Sequence, residues 1–232
     1  MKKFKLKLLV VCGIAATAVC FSLKNTPVQE TLSGFHGHTA QLILDAGHGG
    51  EDGGAVSVTG VPESQINLAI VKRMDTILGF YGECPILTRD SDRSLHDEGA
   101  VTLREKKVSD LKSRTEIVNE TEHGVLISIH QNSFQSPKYQ GTQIFYGDID
   151  GSQELALHIQ DAIRRTIQPD NSREVKKIAE NVYLMNHIDK PAVLVECGFL
   201  TSPEEEKKLR DADYQKKLAA VLSAAWMTSI RV

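Results

Sequence analysis

The sequence predicts an α/β fold: a single domain with a mostly parallel, twisted sheet of about six strands, flanked by helices on both faces. Short apolar runs rich in Val, Ile and Leu alternate with longer amphipathic segments along the chain. Several of the apolar runs are continuous, as expected for strands that are buried on both faces. The 232 residues, 41% hydrophobic and 25% charged, are enough for one good core.

Six apolar runs are predicted to be strands, and four amphipathic segments between them are predicted to be helices. The predicted strands are 41–45, 84–89, 125–130, 142–147, 181–185 and 192–197. The predicted helices are 63–79, 105–122, 152–168 and 211–230. Two charged segments, 89–99 and 169–177, are predicted to be loops. This alternation of strand and helix indicates parallel crossover connections.

The first 24 residues, which we call the leader, are predicted to be a signal peptide or an N-terminal membrane anchor. Four lysines precede an uncharged apolar run from Leu8 to Leu23, and Lys24 ends it. The run is short for a full membrane span, which needs roughly 17–25 residues, so cleavage and tethering both remain open. We expect a protein that is exported or membrane-tethered, outside the cytoplasmic membrane, and that contacts the membrane only through the leader.

Residues 25–40 are polar and are predicted to be a linker, which leaves 41–232 as the folded domain. The leader holds five lysines, so the rest of the chain keeps 22 of the 27 basic residues, and the folded domain keeps 29 of the 30 acidic ones. An acidic domain without a basic stripe argues against nucleic acid as a partner. Cys84 and Cys197 both lie in predicted strands and are predicted to be free core thiols, although one bridge between them stays open.

Three reactive side chains follow or end predicted strands. His48 lies within the glycine-rich segment after the first strand, His130 ends the strand 125–130, and Glu196 lies near the end of the strand 192–197. Ligands and reactive groups gather at the carboxyl ends of strands in open α/β sheets, so these three residues are expected to meet at one edge.

Four chemistries compete for such an edge, and two of them fit poorly. A phosphate loop needs Lys and Ser or Thr after the last glycine, whereas Glu51 and Asp52 stand within this loop. A nucleophilic Cys197, with His48 or His130 as its base, is disfavoured because Glu196 stabilises the neutral thiol. Adjacent strand residues also point to opposite faces, so Cys197 faces the core if Glu196 faces the cleft.

The remaining two chemistries are a carboxylate pair and a metal site. Several acids could form the carboxylate pair of a glycosidase, but that pair would leave both histidines without a role. Those acids are Asp45, Glu51, Asp52, Glu63 and Glu196. Two histidines and one carboxylate around an open position form a catalytic zinc arrangement. Spacing alone makes Glu63 only somewhat better placed as third ligand than Glu51 or Asp52.

Several motifs resemble the zinc-dependent N-acetylmuramoyl-L-alanine amidases of the Amidase_3 type, in order over about 41–230. The matching stretches are LDAGHGGEDGGA, Glu63, LTRDSD, SIHQN, GTQIFYG and PAVLVECGFLTSPEE. Within that family the chain most resembles the germination-specific cortex amidases of spore-forming bacteria, through its leader, its lack of a separate wall-binding domain and the stretch 102–119.

The resemblance implies one zinc ion ligated by His48, Glu63 and His130, with Glu196 as the catalytic carboxylate of a domain covering 41–232. The implied reaction is hydrolysis of the amide between N-acetylmuramic acid and L-alanine of the peptidoglycan stem peptide. It implies peptidoglycan glycan strands with stem peptides as partner, and leaves room for an accessory or activator protein. The implied setting is the spore cortex, as the first step toward muramic-δ-lactam, in the forespore intermembrane space.

Two other functions remain open at this point. One is a non-catalytic peptidoglycan-binding or scaffolding relative that kept the fold, and the other is a zinc peptidase that cuts within the stem peptide. The second would use the same metal chemistry, so only the identity of the cleaved amide separates it from an amidase.

Overall fold

The computed structural model describes residues 40–134, 136 and 138–229. The predicted leader, and all of the predicted linker except Ala40, lie outside the described residues. The described elements belong to one structural unit, residues 39–232.

Six strands and six helices make up the described part of the chain. The strands are β1 (Gln41–Ala46), β2 (Ile86–Leu87), β3 (Gly124–Asn132), β4 (Gln143–Tyr146), β5 (Lys176–Lys177) and β6 (Ala192–Phe199). The helices are α1 (Glu63–Phe80), α2 (Leu103–Glu120), α3 (Ser152–Thr166), α4 (Tyr183–Asn186), α5 (Pro203–Arg210) and α6 (Ala212–Ser229). In the described segments, no helix is long and apolar enough to cross a membrane.

The six strands form one sheet in the order β2-β1-β3-β6-β4-β5. All neighbouring pairs are parallel except β6 and β4, which are antiparallel. The sheet is therefore mostly parallel, as the sequence predicts. The reversed strand β4 begins, rather than ends, at the edge where β3 and β6 end, because Gln143 pairs with Glu196.

The side chains of alternate residues in the central strands pack into two separate hydrophobic cores, one on each face of the sheet. Helices α1, α3 and α6 cover one face and α2 and α4 cover the other. The strand residues in the first core include Leu44, Ile127, Ile129, Val193, Val195 and Cys197. Those in the second include Ile43, Leu126, Ala192 and Leu194. The prediction of helices on both faces is confirmed.

The predicted strand at 181–185 is wrong, because these residues end in the short helix α4. Leu184 and Met185 are adjacent and both buried in the second core. A strand would send them to opposite faces, whereas one helical turn turns both toward the same core.

The charged segment 169–177, predicted to be a loop, ends in the edge strand β5 instead, which pairs with β4. The predicted strand 84–89 contracts to the two residues of β2. Cys84 is exposed rather than buried, because it lies before this short edge strand; Cys197 is buried, and both are free thiols. Helix α5 was not predicted, although Pro203 at its start and its acidic first turn are ordinary helix-start signals.

Candidate metal centre and active site

The glycine-rich loop after β1 aims His48 back over the sheet edge. His48 itself has a φ of 61°, in the left-handed region that few residues other than glycine adopt. Backbone hydrogen bonds between Gly49 and Asp52, at 2.8 and 3.2 Å, close the turn. The loop is fixed to α1 because the first helical N–H groups, of Glu63 and Ser64, donate to loop carbonyls. The orphan donors of the helix start thereby hold the loop.

The imidazole of His48 lies between two carboxylates. Its Nδ1 lies 3.0 Å from Oδ2 of Asp52, and its Nε2 lies 3.4 Å from Oε2 of Glu63. Metal-ligating histidines usually donate their other ring N–H to a carboxylate, which fixes the tautomer and the ring orientation. Asp52 is placed for that role, so Nε2 of His48 is the ring nitrogen that faces the cluster.

Glu63 is the first residue of α1 and is almost fully buried. Its Oε1 lies 2.9 Å from Nδ1 of His130 and accepts the backbone N–H of Gln131 at 3.0 Å, while Oε2 accepts that of Ala55 at 3.0 Å. Burial raises the pKa of Glu63, but His130, His48 and the Gln131 N–H together outweigh it and lower the pKa to about 2. The carboxylate is therefore ionised at neutral pH.

His48, Glu63 and His130 form a cluster whose candidate ligand atoms all lie within 4.8 Å of one another. The two imidazole ring centroids are 5.0 Å apart. Two nitrogens and one carboxylate oxygen are a donor set that zinc accepts in catalytic sites, where a fourth position stays open. The donor set and its spacing fit a single metal ion.

Two glycines make room for this cluster. A Cβ added to Gly47 would lie 2.2 Å from Cε1 of His130, and one added to Gly54 would lie 2.6 Å from Oε2 of Glu63. No side chain fits at either position without displacing a cluster member. The glycines therefore serve close approach of the backbone to the imidazoles.

Glu51 and Asp52, the rival third ligands, lie elsewhere. The exposed Glu51 carboxylate pairs with Lys106 across the loop. Asp52 contacts the outer nitrogen of His48 and also lies 3.3 Å from Nζ of Lys107. The structure thus brings Glu63, and neither loop acid, against both histidines.

Glu196 lies beside the cluster because of strand register. His130 on β3 and Glu196 on β6 are register partners, so their side chains project from the same face of the sheet. Oε2 of Glu196 is buried and has no hydrogen-bond partner among the described residues. Burial, with a further contribution from Glu63, raises the pKa of Glu196 to about 7. A carboxyl group in this state can exchange a proton near neutral pH.

Cys197 lies on the opposite face of the sheet, fully buried in the first core. Burial raises the pKa of its thiol well above the ordinary range. A neutral, core-facing thiol does not attack a substrate at the other face, so the nucleophilic cysteine alternative is excluded.

Two buried arginines that the sequence analysis missed hold the backbone under the site. Arg89 follows β2 and donates to the carbonyl oxygens of Ala46, Gly47 and Ser64, at 2.8, 3.1 and 2.9 Å. It thereby joins the end of β1 to the start of α1. Its position at the end of the predicted strand 84–89 was the available signal.

Arg114 on α2 is the second of these arginines and is equally buried. Its guanidinium pairs with Asp45 and Asp110 and donates to the carbonyl oxygen of His48 at 2.8 Å. The spacing of Asp110 and Arg114, four residues apart on one helix face, was the sequence signal for this pair. Helix α2 therefore reaches across to the loop that carries His48.

Comparison with known proteins agrees with this geometry. The profile of the N-acetylmuramoyl-L-alanine amidase family Amidase_3 matches residues 42–226. A germination-specific N-acetylmuramoyl-L-alanine amidase of Bacillus subtilis is 38% identical over 180 residues, which are 77% of this chain and 75% of that protein.

Solved structures give the same result. The CwlD amidase from Clostridioides difficile, in complex with the GerS lipoprotein, is similar with a TM-score of 0.78 and 38% identity, covering 83% of this chain and 98% of that one. The amidase AmiC2 of Nostoc punctiforme has a TM-score of 0.69 and 27% identity, with 84% and 98% covered. The chain therefore belongs to the Amidase_3 family and is an N-acetylmuramoyl-L-alanine amidase, as its sequence predicts.

Proposed function

We propose that the protein hydrolyses the amide between N-acetylmuramic acid and L-alanine with one zinc ion, held by His48, Glu63 and His130, and with Glu196 as the catalytic carboxylate. The observation that carries the proposal is the register of β3 and β6. It sets the unpaired Oε2 of Glu196 on the same face as His130, one strand away from the three-residue cluster.

Each residue has a defined task in this reaction. Zinc, when bound, polarises a carbonyl oxygen and lowers the pKa of a water molecule toward about 7. Glu196 takes a proton from the attacking water and delivers it to the amine nitrogen of L-alanine as the C–N bond breaks, a role worth roughly 10²–10⁴-fold in rate. Asp52 keeps His48 in one tautomer, and Glu63 keeps its negative charge at neutral pH.

Measuring zinc content and hydrolysis in the same variants distinguishes the proposed base, Glu196, from the proposed zinc ligands. Glu196→Gln is expected to keep zinc and lose hydrolysis of purified peptidoglycan, because it removes a base and no ligand. His48→Ala and His130→Ala are expected to lose zinc as measured by elemental analysis. The exposed Glu204→Gln is the matched control and keeps both. Comparable zinc loss in Glu196→Gln, or full zinc content in either histidine variant, contradicts these assignments.

The products decide between the two enzyme alternatives. An amidase releases peptides that begin with a free L-alanine amine and leaves an intact lactyl carboxylate on the glycan. A zinc peptidase would leave L-alanine on the sugar, which mass spectrometry distinguishes directly. A purified protein that binds peptidoglycan and releases nothing, with zinc present, would support the scaffolding alternative.

We place this reaction in spore cortex, in the forespore intermembrane space, with the leader 1–24 as signal peptide or anchor and 25–40 as linker to the domain 41–232. The likeness to the germination-specific amidase of Bacillus subtilis supports the setting. There the cleavage prepares muramic-δ-lactam formation. Spores of a strain without this chain are expected to lack the lactam, and normal lactam content contradicts the setting.

An accessory lipoprotein belongs to the same proposal. The similar CwlD structure contains the GerS lipoprotein, and three ligands from distant segments exist as a site only in the folded domain. A partner that stabilises the fold is therefore expected to tighten zinc binding. Zinc titration with and without a candidate lipoprotein tests this, and equal affinities count against it.

A further inference from the structure

Arg173 is a cation beside Glu196 that the mechanism above does not use. Gln143, the register partner of Glu196 on the reversed strand β4, accepts a hydrogen bond from the Arg173 guanidinium. Register partners project from the same face, so His130, Glu196 and Gln143 form a row across three adjacent strands, and Arg173 continues that row.

Several contacts hold Arg173 in place. Its guanidinium carbon stacks 4.9 Å from the ring centroid of Phe199. Its backbone N–H donates to Oδ1 of Asn171 at 2.9 Å, and its carbonyl oxygen accepts from Arg164. A planar guanidinium fixed by stacking and hydrogen bonds is pre-organised for two-pronged recognition of a carboxylate.

Arg173 forms no direct ion pair with a carboxylate of the described residues, although Glu205 and Glu196 act on its charge from a greater distance. No carboxylate in residues 40–134, 136 and 138–229 lies within 4 Å of its guanidinium nitrogens, and its Nε lacks a hydrogen-bond partner there. Glu205, the nearby acid, has each oxygen engaged by a backbone N–H, from Gly141 and Phe199 at 2.9 Å. Arg173 is half-buried and lines a cavity of about 490 Å³, so a ligand can reach it from the side formed by the segments 138–141 and 167–172 with Glu205 and Lys208.

The substrate offers an anion on one side of its scissile bond. The lactyl carboxyl of the sugar is consumed in the amide, and the rest of the glycan next to it is neutral. In a stem peptide whose second residue is joined through its γ-carboxyl, the α-carboxylate of that residue is free. An extended peptide advances about 3.5 Å per residue, and adjacent strands lie about 4.8 Å apart. A peptide that runs from Glu196 toward β4 would therefore bring its second residue near Arg173, whose guanidinium is held by Gln143 of that strand.

We propose that Arg173 binds the free α-carboxylate of the second stem-peptide residue and makes the enzyme selective for stem peptides in which this group is not amidated. The inference rests on the proposed function, since it takes the amide at Glu196 as the scissile bond. Arg173 contacts the substrate and takes no part in proton transfer.

Two soluble N-acetylmuramoyl tripeptides test the proposal, identical except that the second residue carries a free or an amidated α-carboxyl. The wild type is expected to cleave the carboxylate form with a kcat/KM about ten- to a hundredfold higher, as a charge-assisted hydrogen bond gives. Arg173→Gln is expected to lose that preference with zinc content and Tm unchanged, and Arg173→Lys to recover part of it. Lys208→Gln, an exposed cation lining the same cavity, is the control for general attraction and keeps the preference.

Binding to the Glu196→Gln variant separates this inference from the proposed function. If the wild type releases peptide from neither compound, the proposed function fails, yet the ratio of the two dissociation constants still tests Arg173. Equal affinity for the two compounds overturns the inference. So does an unchanged ratio of dissociation constants when Arg173→Gln is combined with Glu196→Gln. In either case, cleavage by the wild type would still support the proposed function. Loss of the preference in Lys208→Gln as well would also overturn the inference, because the preference would then come from general attraction by positive charge and not from Arg173.

Discussion

The guanidinium of Arg114 donates to the carbonyl oxygen of His48 while it pairs with Asp45 below the loop. One side chain thus joins α2, the end of β1 and the left-handed turn that carries a predicted zinc ligand. We expect Arg114→Met to lower the free energy of unfolding by about 3–5 kcal/mol, because it leaves Asp45 buried without its cation.

Urea denaturation measures this loss, with Arg165→Met as the matched control. Arg165 pairs with Asp161 on the exposed side of α3, where such a pair contributes less than about 1 kcal/mol. Similar losses in both variants would show that burial of the Arg114 network adds nothing.

Asp52→Asn is expected to weaken zinc binding about 10- to 100-fold without changing the ligand set, because the carboxylate orients His48 through its Nδ1. Competition with a chromogenic chelator gives the affinity. Asp92→Asn is the control, since Asp92 lies in the segment 89–99, accepts the backbone N–H of Gly50 in the His48 loop at 3.0 Å and contacts neither histidine. An equal decrease in the two variants would assign the effect to loop order rather than to His48.

Gly47→Ala is expected to abolish tight zinc binding, because the new methyl group would occupy the position of the His130 ring. Gly47 has no positive φ, so the effect is steric and not a matter of backbone strain. At Gly79, no described atom lies within 4 Å of an added Cβ, and Gly79→Ala is expected to keep zinc binding. Wild-type zinc affinity in Gly47→Ala would mean that His130 can leave its observed position and still bind.

Acid stability should depend on Asp45. Burial raises its pKa, but Arg114, Ser128 and Thr88 outweigh it and lower the pKa from 3.8 to about 2. A lowered carboxyl pKa contributes stability above pH 3.8 that is lost as the pH falls through 2, here about 2 kcal/mol. Asp45→Asn should flatten the unfolding free energy between pH 4 and pH 2, whereas the exposed Asp150→Asn, which lies far from the Arg114 network in sequence, is the control and should leave the curve unchanged. Parallel curves for wild type and Asp45→Asn would contradict the shift.

The two cysteines of the folded domain should differ in reactivity. Iodoacetamide is expected to label the exposed Cys84 in the native protein and Cys197 only after unfolding, because Cys197 is buried and its thiol stays neutral. Peptide mapping by mass spectrometry measures both sites in one sample, with a urea-treated aliquot as the control. A disulfide-linked peptide pair from the native protein would disprove the observed separation.

The sequence predicts an element well when its apolar residues repeat at a regular spacing over several turns and residues typical of element ends mark its limits. Helix α1 repeats apolar residues at helical spacing between Pro62 and Gly79, and the structure begins and ends it within one residue of the prediction. The segment 181–185 fails because a single turn is too short to show a period, and Leu184 and Met185 fit a strand equally well. Strand β5 consists of two lysines, and only its pairing with β4 makes it a strand.

The residues of the candidate site also differ in whether the sequence could predict them. His48, His130 and Glu196 are predictable because strand ends converge in such sheets, and the family resemblance selects Glu63 among three acids. Asp52 is only four residues from His48, but the turn of the loop is what brings the two side chains together. Arg114 contacts the carbonyl oxygen of His48 across 66 residues of sequence, a distance that no short motif spans. Arg173 lies in a segment whose charged composition predicts only a loop, and it reaches the site through Gln143.

The antiparallel direction of β4 separates the proposed metal ligands from the residues proposed to bind the peptide. The residues proposed to hold metal and to transfer protons come from the loop after β1, from the ends of β3 and β6 and from the start of α1. The proposed peptide-binding side comes instead from the buried start of β4, at Gln143, and from Arg173 in the segment that precedes β5. Under the proposal for Arg173, substitutions there are expected to change which peptide is bound without moving a proposed metal ligand. The reversed strand would then let substrate range vary independently of the hydrolytic chemistry.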